Sequence, residues 1–519
     1  LAQCQTLAGS GRLVYNLAMV RLLRHTLSEY PLVLLKAIAE GWRLSLTDEQ
    51  TDEIVALLAG VMSDRAEVAR VVGALGETER EALGYVAAAG PVKAHIYQRK
   101  FGAIRGMGPG RLEWDQAWKH PTSPAESLWY LGLIQREIAR LGAYHGDVFY
   151  VPPEILSELP PLPADIPSFR LASSPPPPLV EDDGDALARD VFLLLSYLRR
   201  HDIRLKKQGW SRRAFAELRA RLSGSADVER LALLERVCVR AGLARMTEGV
   251  WRPTARAGSW LKKPPEARQR QLCEAWRTEP DWSELCHLPG LRCEQTGWRS
   301  DPRLARDAVA RHLRQNAGET WSTLASFIDS VREVDPDFQR PDGDYDSWYI
   351  KDARSGAYRS GFAQWDAVEG ALLRYLLVRP LRWLGVVAVG RAGADQEPSS
   401  FRLTRLGASV LRLPEAGLSL EEARQVAPEV PSFVVRPDLS VAVAAGAQWY
   451  DRWLLGRFAN WSGSRRGMAI YRIDGTALRA CLQEGATLRQ ILAFLKRVSG
   501  GRLPAETAES LRALAEARG

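Results

Sequence analysis

The sequence predicts a mainly α-helical protein with small β wings, an α+β chain of tandem winged-helix modules. Three observations carry that expectation. An amphipathic helix, a second helix and two short strands around a loop recur three times along the chain. A proline-rich stretch separates the first occurrence from the other two, and positive charge is concentrated on the middle one. At 519 residues the chain exceeds a single hydrophobic core, so several domains are expected.

In chain order, 1–75 reads as an N-terminal helical domain and 76–155 as the first module. In the latter, Ala82 to Val86 and Ser127 to Trp129 are helical, with wing strands at Leu131 to Ile134 and Val148 to Val151. Residues 156–184 form a linker whose prolines, including the run Pro175 to Pro178, exclude helix and central strand. The basic module, 185–263, has helices at Val191 to Leu198, Ser211 to Leu222 and Val228 to Ala241. Its strand pair falls at Ala241 to Arg245 and Gly249 to Pro253. A helical connector, 264–318, leads to a third module at 319–413. There a helix from Trp365 to Leu377 is broken by Pro380, and strands follow at Trp383 to Val389 and Phe401 to Thr404.

Between Val191 and Lys263 there are 17 Lys and Arg against 6 Asp and Glu, an excess larger than the +8 of the whole chain. A concentrated field of one sign is what phosphate binding requires. Arg199, Arg200, Arg204, Lys206, Lys207, Arg212, Arg213, Arg219, Lys262 and Lys263 are therefore candidate DNA contacts, with Trp210 as a ring on which unpaired bases could stack. Ser211 would cap a helix that opens on two arginines, a terminus suited to phosphate. Arg465 and Arg466 form a second cationic candidate near the C-terminus. The competing reading is a solvated cationic face with no ligand.

The stretch Phe433-Val-Val-Arg-Pro-Asp-Leu-Ser-Val-Ala-Val443, followed by Ala469 to Ile473, Gly485-Ala-Thr487 and Leu503-Pro504, resembles the domain that precedes the motor in XPB-type helicases. Upstream, Phe338 to Pro341, Leu381-Arg-Trp-Leu-Gly385 and Phe401 to Thr404 resemble a bacterial helicase-associated family that carries this domain at its C-terminus. Phe101 to Arg105 and Leu128 to Leu133 fit that family's N-terminal part. The resemblance implies an XPB N-terminal-like α/β domain at 432–519 that docks a helicase or another subunit, with Trp449, Trp453 and Trp461 as partner-binding residues. The alternative for these tryptophans is closure of the domain's own core.

Catalysis by this chain is not expected. The phosphate loop G-x-x-x-x-G-K-[ST] is absent, since Gly106-Met-Gly-Pro-Gly110 and Gly463-Ser-Arg-Arg-Gly467 lack its Lys-Ser/Thr pair. Cys273, Cys286, His287 and Cys293 supply four soft ligands at irregular spacing, which leaves zinc a minor reading beside reduced thiols. Asp335, Asp337, Asp342, Asp344 and Asp346 could hold a hard cation in a nuclease, but Ser347 and Ala353 replace the Gly and Glu of an EF-hand, and a solvated turn is preferred. No metal and no cofactor are expected. The leading expectation is a non-catalytic, cytoplasmic DNA-binding protein that partners a separate helicase or larger nucleic-acid machine; the rival is a protein-interaction scaffold without DNA contact.

Overall fold

Several helices in this chain begin where a short polar side chain can accept the free amides of a first turn. Asp64, Ser123, Asp227, Thr254, Asp301, Asp474 and Thr487 all do so. Pro124 and Pro302 follow two of these caps at the first helical position, where a missing N–H costs nothing. The computed structural model describes residues 21–46, 50–203, 212–222, 227–294, 300–411 and 432–516. The chain divides into two compact units, Leu1–Ser168 with Glu333–Ser347, and Phe169–Arg332 with Trp348–Gly519.

In the first unit, helices Leu23–Ser28, Leu32–Gly41, Thr51–Met62 and Arg65–Gly73 precede Glu77–Ala89, strand β1 (Val92–Lys93) and helix Ala94–Phe101. Helix Pro124–Tyr130 and the hairpin β2 (Gln135–Leu141) and β3 (Tyr144–Tyr150) complete the series. β1 lies beside β3, which pairs with β2. The expected boundary at residue 75 is not a boundary between cores. Leu35, Ile38 and Leu58 share one buried cluster with Leu83, Tyr97, Leu128 and Val151, because neither set of helices has enough apolar surface of its own to close. Leu131 to Ile134 is a buried turn rather than a strand. Gly132 takes a left-handed conformation there, and the Trp42 indole donates to the Leu131 carbonyl at 2.8 Å.

The second unit opens on the proline-rich stretch, whose end is not a free spacer. Leu179–Glu181 is an edge strand, β4, where proline neighbours are tolerated, and Glu181 pairs with Arg391 at 2.5 Å and with Arg382. Helices Ala186–Arg200, Arg212–Arg219 and Val228–Arg240 and the hairpin β5 (Ala244–Thr247) and β6 (Val250–Pro253) follow as expected to within a few residues. The connector is not wholly helical. After helices Ala255–Leu261 and Pro265–Arg277 it contains β7 (Leu291–Cys293), and its last helix, Pro302–Asn316, opens the third layout ahead of residue 319. Strand β8 (Ser322–Thr323), helix Leu324–Val334 and β9 (Ile350–Asp352), which pairs with β7, come next.

The helix from Asp366 is not broken by Pro380. Its bonding widens to π-helical turns at Asp366–Gly370 and Leu377–Leu381, so a residue without N–H is accommodated where a regular turn would clash. Trp383 consequently ends the helix, and the strand β10 starts later, at Val387–Arg391, with β11 at Ser400–Leu403. The same arrangement thus occurs three times: a short extended segment after the first helix pairs with the second hairpin strand. β1 with β3, Ile203 with Trp251 of β6, and β8 with β11 are the three instances.

Beyond helix Arg405–Leu411, residues from 432 form the antiparallel sheet β12 (Phe433–Val435), β13 (Ser440–Val443), β15 (Met468–Ile473) and β14 (Ala459–Arg465), in that spatial order. Helix Trp449–Leu455 connects β13 to β14, and helices Gly475–Gln483, Leu488–Val498 and Ala505–Glu516 follow. Phe433, Val441, Leu455, Leu478, Ile491 and Leu495 form the core. β12 alternates in burial, whereas β13 is buried along its length.

Candidate nucleic-acid interface

Two helices of the second unit carry arginine and aromatic residues on one face. On Ala186–Arg200, Arg189, Phe192, Ser196, Arg199 and Arg200 recur at helical spacing; on Trp449–Leu455, Trp449, Arg452 and Trp453 do the same. These faces enclose a cleft of about 480 Å³, closed further by Arg221, Trp461 and Tyr471. Five arginines and His201 line it, and among the described residues no carboxylate does.

The inner arginines are held in place. Arg199 donates to the Trp453 carbonyl at 3.1 Å with its guanidinium 4.3 Å over the same ring. Burial, helped by repulsion from Arg457, lowers its pKa to about 10, which leaves it charged at neutral pH. Arg200 donates from Nε to the Gly456 carbonyl at the end of helix Trp449–Leu455 at 2.9 Å and from Nη2 to the Ala459 carbonyl at the start of β14 at 2.9 Å. Arg452 donates to the Tyr471 hydroxyl at 2.8 Å and lies 4.9 Å over Phe192. Trp449 stacks under Arg268 at 3.6 Å.

The outer residues are more open. Trp461 is 40% exposed and stands beside a register shift between Trp461 and Gly463, where a bulge re-aims side chains. Arg221 lies 5.5 Å over its ring and 5.2 Å over Tyr197, while Arg189 pairs with Asp185 at 3.1 Å. Ser464 and Gly467 line the cleft and flank Arg465 and Arg466, both exposed at the β14–β15 turn. Arg466 and Gly467 have φ of 50° and 76°, the successive left-handed residues that a tight hairpin requires.

Residues that the sequence assigned to separate ends and separate roles are therefore neighbours. Arg199 and Arg200, expected at DNA, and Trp449 and Trp453, expected at a partner, line one cleft, and Arg199 binds Trp453 directly. Arg219 is exposed on its helix. Arg204, Lys206, Lys207 and Trp210 lie outside the described residues, as do the side chains of Arg212 and Arg213. Lys262 lies 4.3 Å over Tyr450 and Lys263 donates to Gln271 at 2.7 Å; neither lines the cleft. Arg189, Arg221 and Arg452 were not selected from the sequence, although the helical recurrence of Arg189, Phe192, Ser196 and Arg199 was a legible signal.

The other candidate clusters disperse. Cys286 and Cys293 are joined by a disulfide with Cα atoms 5.4 Å apart, which corrects the reading of reduced thiols for this pair. Cys273 is buried apart, its thiol raised to about 12 by burial, and His287 stacks on Trp282 at 4.0 Å. Asp344 accepts the amides of Asp346 and Ser347 at 2.9 and 3.0 Å, the solvated turn expected of this segment. Asp337 is instead buried, bonded to His95 at 2.6 Å and Tyr345 at 2.8 Å. Among the described residues no group of three His, Cys, Asp or Glu side chains could hold a metal ion. Nor is any described helix long and apolar enough to cross a membrane. No protein-family model matches the chain, and no curated protein matches it.

Proposed function

We propose that the protein is a non-catalytic DNA-binding accessory protein, and that it works in the cytoplasm with a separate helicase or larger nucleic-acid machine in repair, transcription or mobile-element defence. The observation that carries this reading is the cleft, lined by no carboxylate among the described residues, which combines five arginines with aromatic rings and is flanked by the exposed Arg465–Arg466 turn. Clustered arginines attract phosphates, and rings among them offer surfaces for bases. The threefold helix and hairpin arrangement supports tandem winged-helix modules. The basic one faces the cleft. The helix through Pro380 is largely buried and serves as scaffold in this reading. Partnership with a helicase rests on the resemblance of 432–519 to an accessory domain.

One observation favours the scaffold reading for the first unit. Trp114 is 88% exposed on helix Pro109–Asp115, and large exposed rings are common anchors of protein interfaces. The deciding experiment is fluorescence anisotropy of the purified chain with duplex, single-stranded and forked DNA across a salt series. Binding to at least one form is expected. Joint replacement of Arg465 and Arg466 by alanine should reduce the duplex salt slope by roughly 0.9 for each phosphate that is no longer neutralised. Binding to none of the three forms would overturn the proposal.

A further inference from the structure

We infer that the cleft between helices Ala186–Arg200 and Trp449–Leu455 receives an unpaired stretch of a DNA strand, with a base on the Trp461 ring and phosphates at Arg221 and Arg189. The inference rests on the DNA-binding reading and specifies which form of DNA the cleft takes. Its volume, about 480 Å³, falls within the roughly 300–1,000 Å³ of small-molecule-sized sites. That space holds a nucleotide-sized group rather than a double helix. In a duplex the flat faces of the bases are already stacked on one another, so only an unpaired base can present a face to an aromatic ring.

The geometry separates two rings covered at close range from one that Arg221 overlies more loosely and that stays partly exposed. Trp453 is buried under Arg199, and Trp449 lies under Arg268. Trp461 is 40% exposed, next to a bulge that sets its direction, with Arg221 at 5.5 Å from the ring centre. An arginine beside an open ring can engage the phosphate of the same nucleotide whose base stacks. Arg189 also lines the cleft, from helix Ala186–Arg200, paired with Asp185 near the surface. The inner arginines bind carbonyls and hold the two walls together, so the cleft is built before any ligand enters.

The test compares a labelled oligothymidylate, an abasic oligomer of equal length and charge, and a duplex. The parent protein should bind oligothymidylate with quenching of tryptophan fluorescence and bind the abasic strand more weakly. Trp461→Ala should lower the ratio of single-strand to duplex affinity on the order of ten- to a hundredfold, and Trp461→Phe should restore most of it. Arg221→Ala should reduce the single-strand salt slope by roughly 0.7. Circular dichroism of each variant shows that it is folded. Equal binding of abasic and thymidylate strands would overturn the inference, as would an unchanged affinity ratio in Trp461→Ala. A parent that binds duplex but not oligothymidylate overturns this inference alone, whereas a parent that binds no DNA overturns the DNA-binding reading beneath it.

Discussion

Arg199 stacks its guanidinium 4.3 Å over the Trp453 ring and donates to that same residue's carbonyl oxygen, so one arginine engages both the side chain and the backbone of its partner. The two residues are far apart in sequence, and their pairing fastens the face of helix Ala186–Arg200 to helix Trp449–Leu455. In a double-mutant cycle with Arg199→Ala and Trp453→Ala, urea unfolding should reveal a coupling of about 1–2 kcal/mol. Arg199→Lys should recover little of it, because an ammonium lacks the planar face that stacks on indole. Purely additive effects would show that the stacking of the guanidinium on the ring contributes nothing to that fastening.

Arg306 is a second internal organiser. It is fully buried on helix Pro302–Asn316, donates to Glu284 from Nε at 3.0 Å and from Nη1 to the carbonyls of Trp276 and Glu279, both at 2.6 Å, and also reaches the Trp282 carbonyl. One guanidinium thus ties down the whole turn after helix Pro265–Arg277. Glu284, which burial drives upward in pKa against the pull of Arg306, also accepts the Trp276 indole at 2.8 Å. Arg306→Leu should destabilise the second unit by about 3–5 kcal/mol, because it strands a buried carboxylate and several carbonyls. Chemical denaturation would register it as an earlier midpoint.

Asp337 predicts an acid-sensitive first unit. Burial opposes its ionisation, but the His95 bond, Lys93 and the Tyr345 hydroxyl prevail and hold its pKa below the ordinary carboxylate value. The ionised form therefore stabilises the folded state fully above the unfolded value of about 3.9, and that contribution is lost as pH falls through the lower native value. Gly343, with φ of 68°, lets the backbone approach the His95 ring; a Cβ there would come within 2.3 Å of it. Protection of the amides along Ala94–Phe101, taken relative to the intrinsic exchange rate at each pH, should fall on acidification below about pH 4. Asp337→Asn should flatten that dependence and cost about 3 kcal/mol at neutral pH. An acid profile shared by Asp337→Asn would assign the sensitivity to another group.

Helices and hairpins were legible where the signal is local. The apolar spacing of Val191 to Leu198 and the turn residues around Gly249 placed their elements to within a few residues. Pro380 misled because the rule against helical proline presumes regular four-residue bonding, and a widened turn escapes it. Leu131 to Ile134 looked like a strand because a short apolar run does not reveal whether sheet neighbours or helices will cover it. The cleft was half legible. The stripe from Arg189 to Arg200 could be read along one helix, but nothing local to it announces that Trp449 and Trp453, some 250 residues later, will face it. The aspartate cluster was read as one object because its members are adjacent in sequence, whereas burial separates Asp337 from Asp344.

The segment Glu333–Ser347 belongs to the first unit although the chain leaves that unit at Ser168. During synthesis, Lys93, His95 and Arg99 therefore emerge long before Asp337, the carboxylate that gathers them. At roughly 5–20 residues per second, the intervening stretch of roughly 240 residues takes about 12–48 s to translate. For that interval the nascent first unit lacks the carboxylate that these three residues share, so its closure waits on the ribosome's progress rather than on its own folding rate.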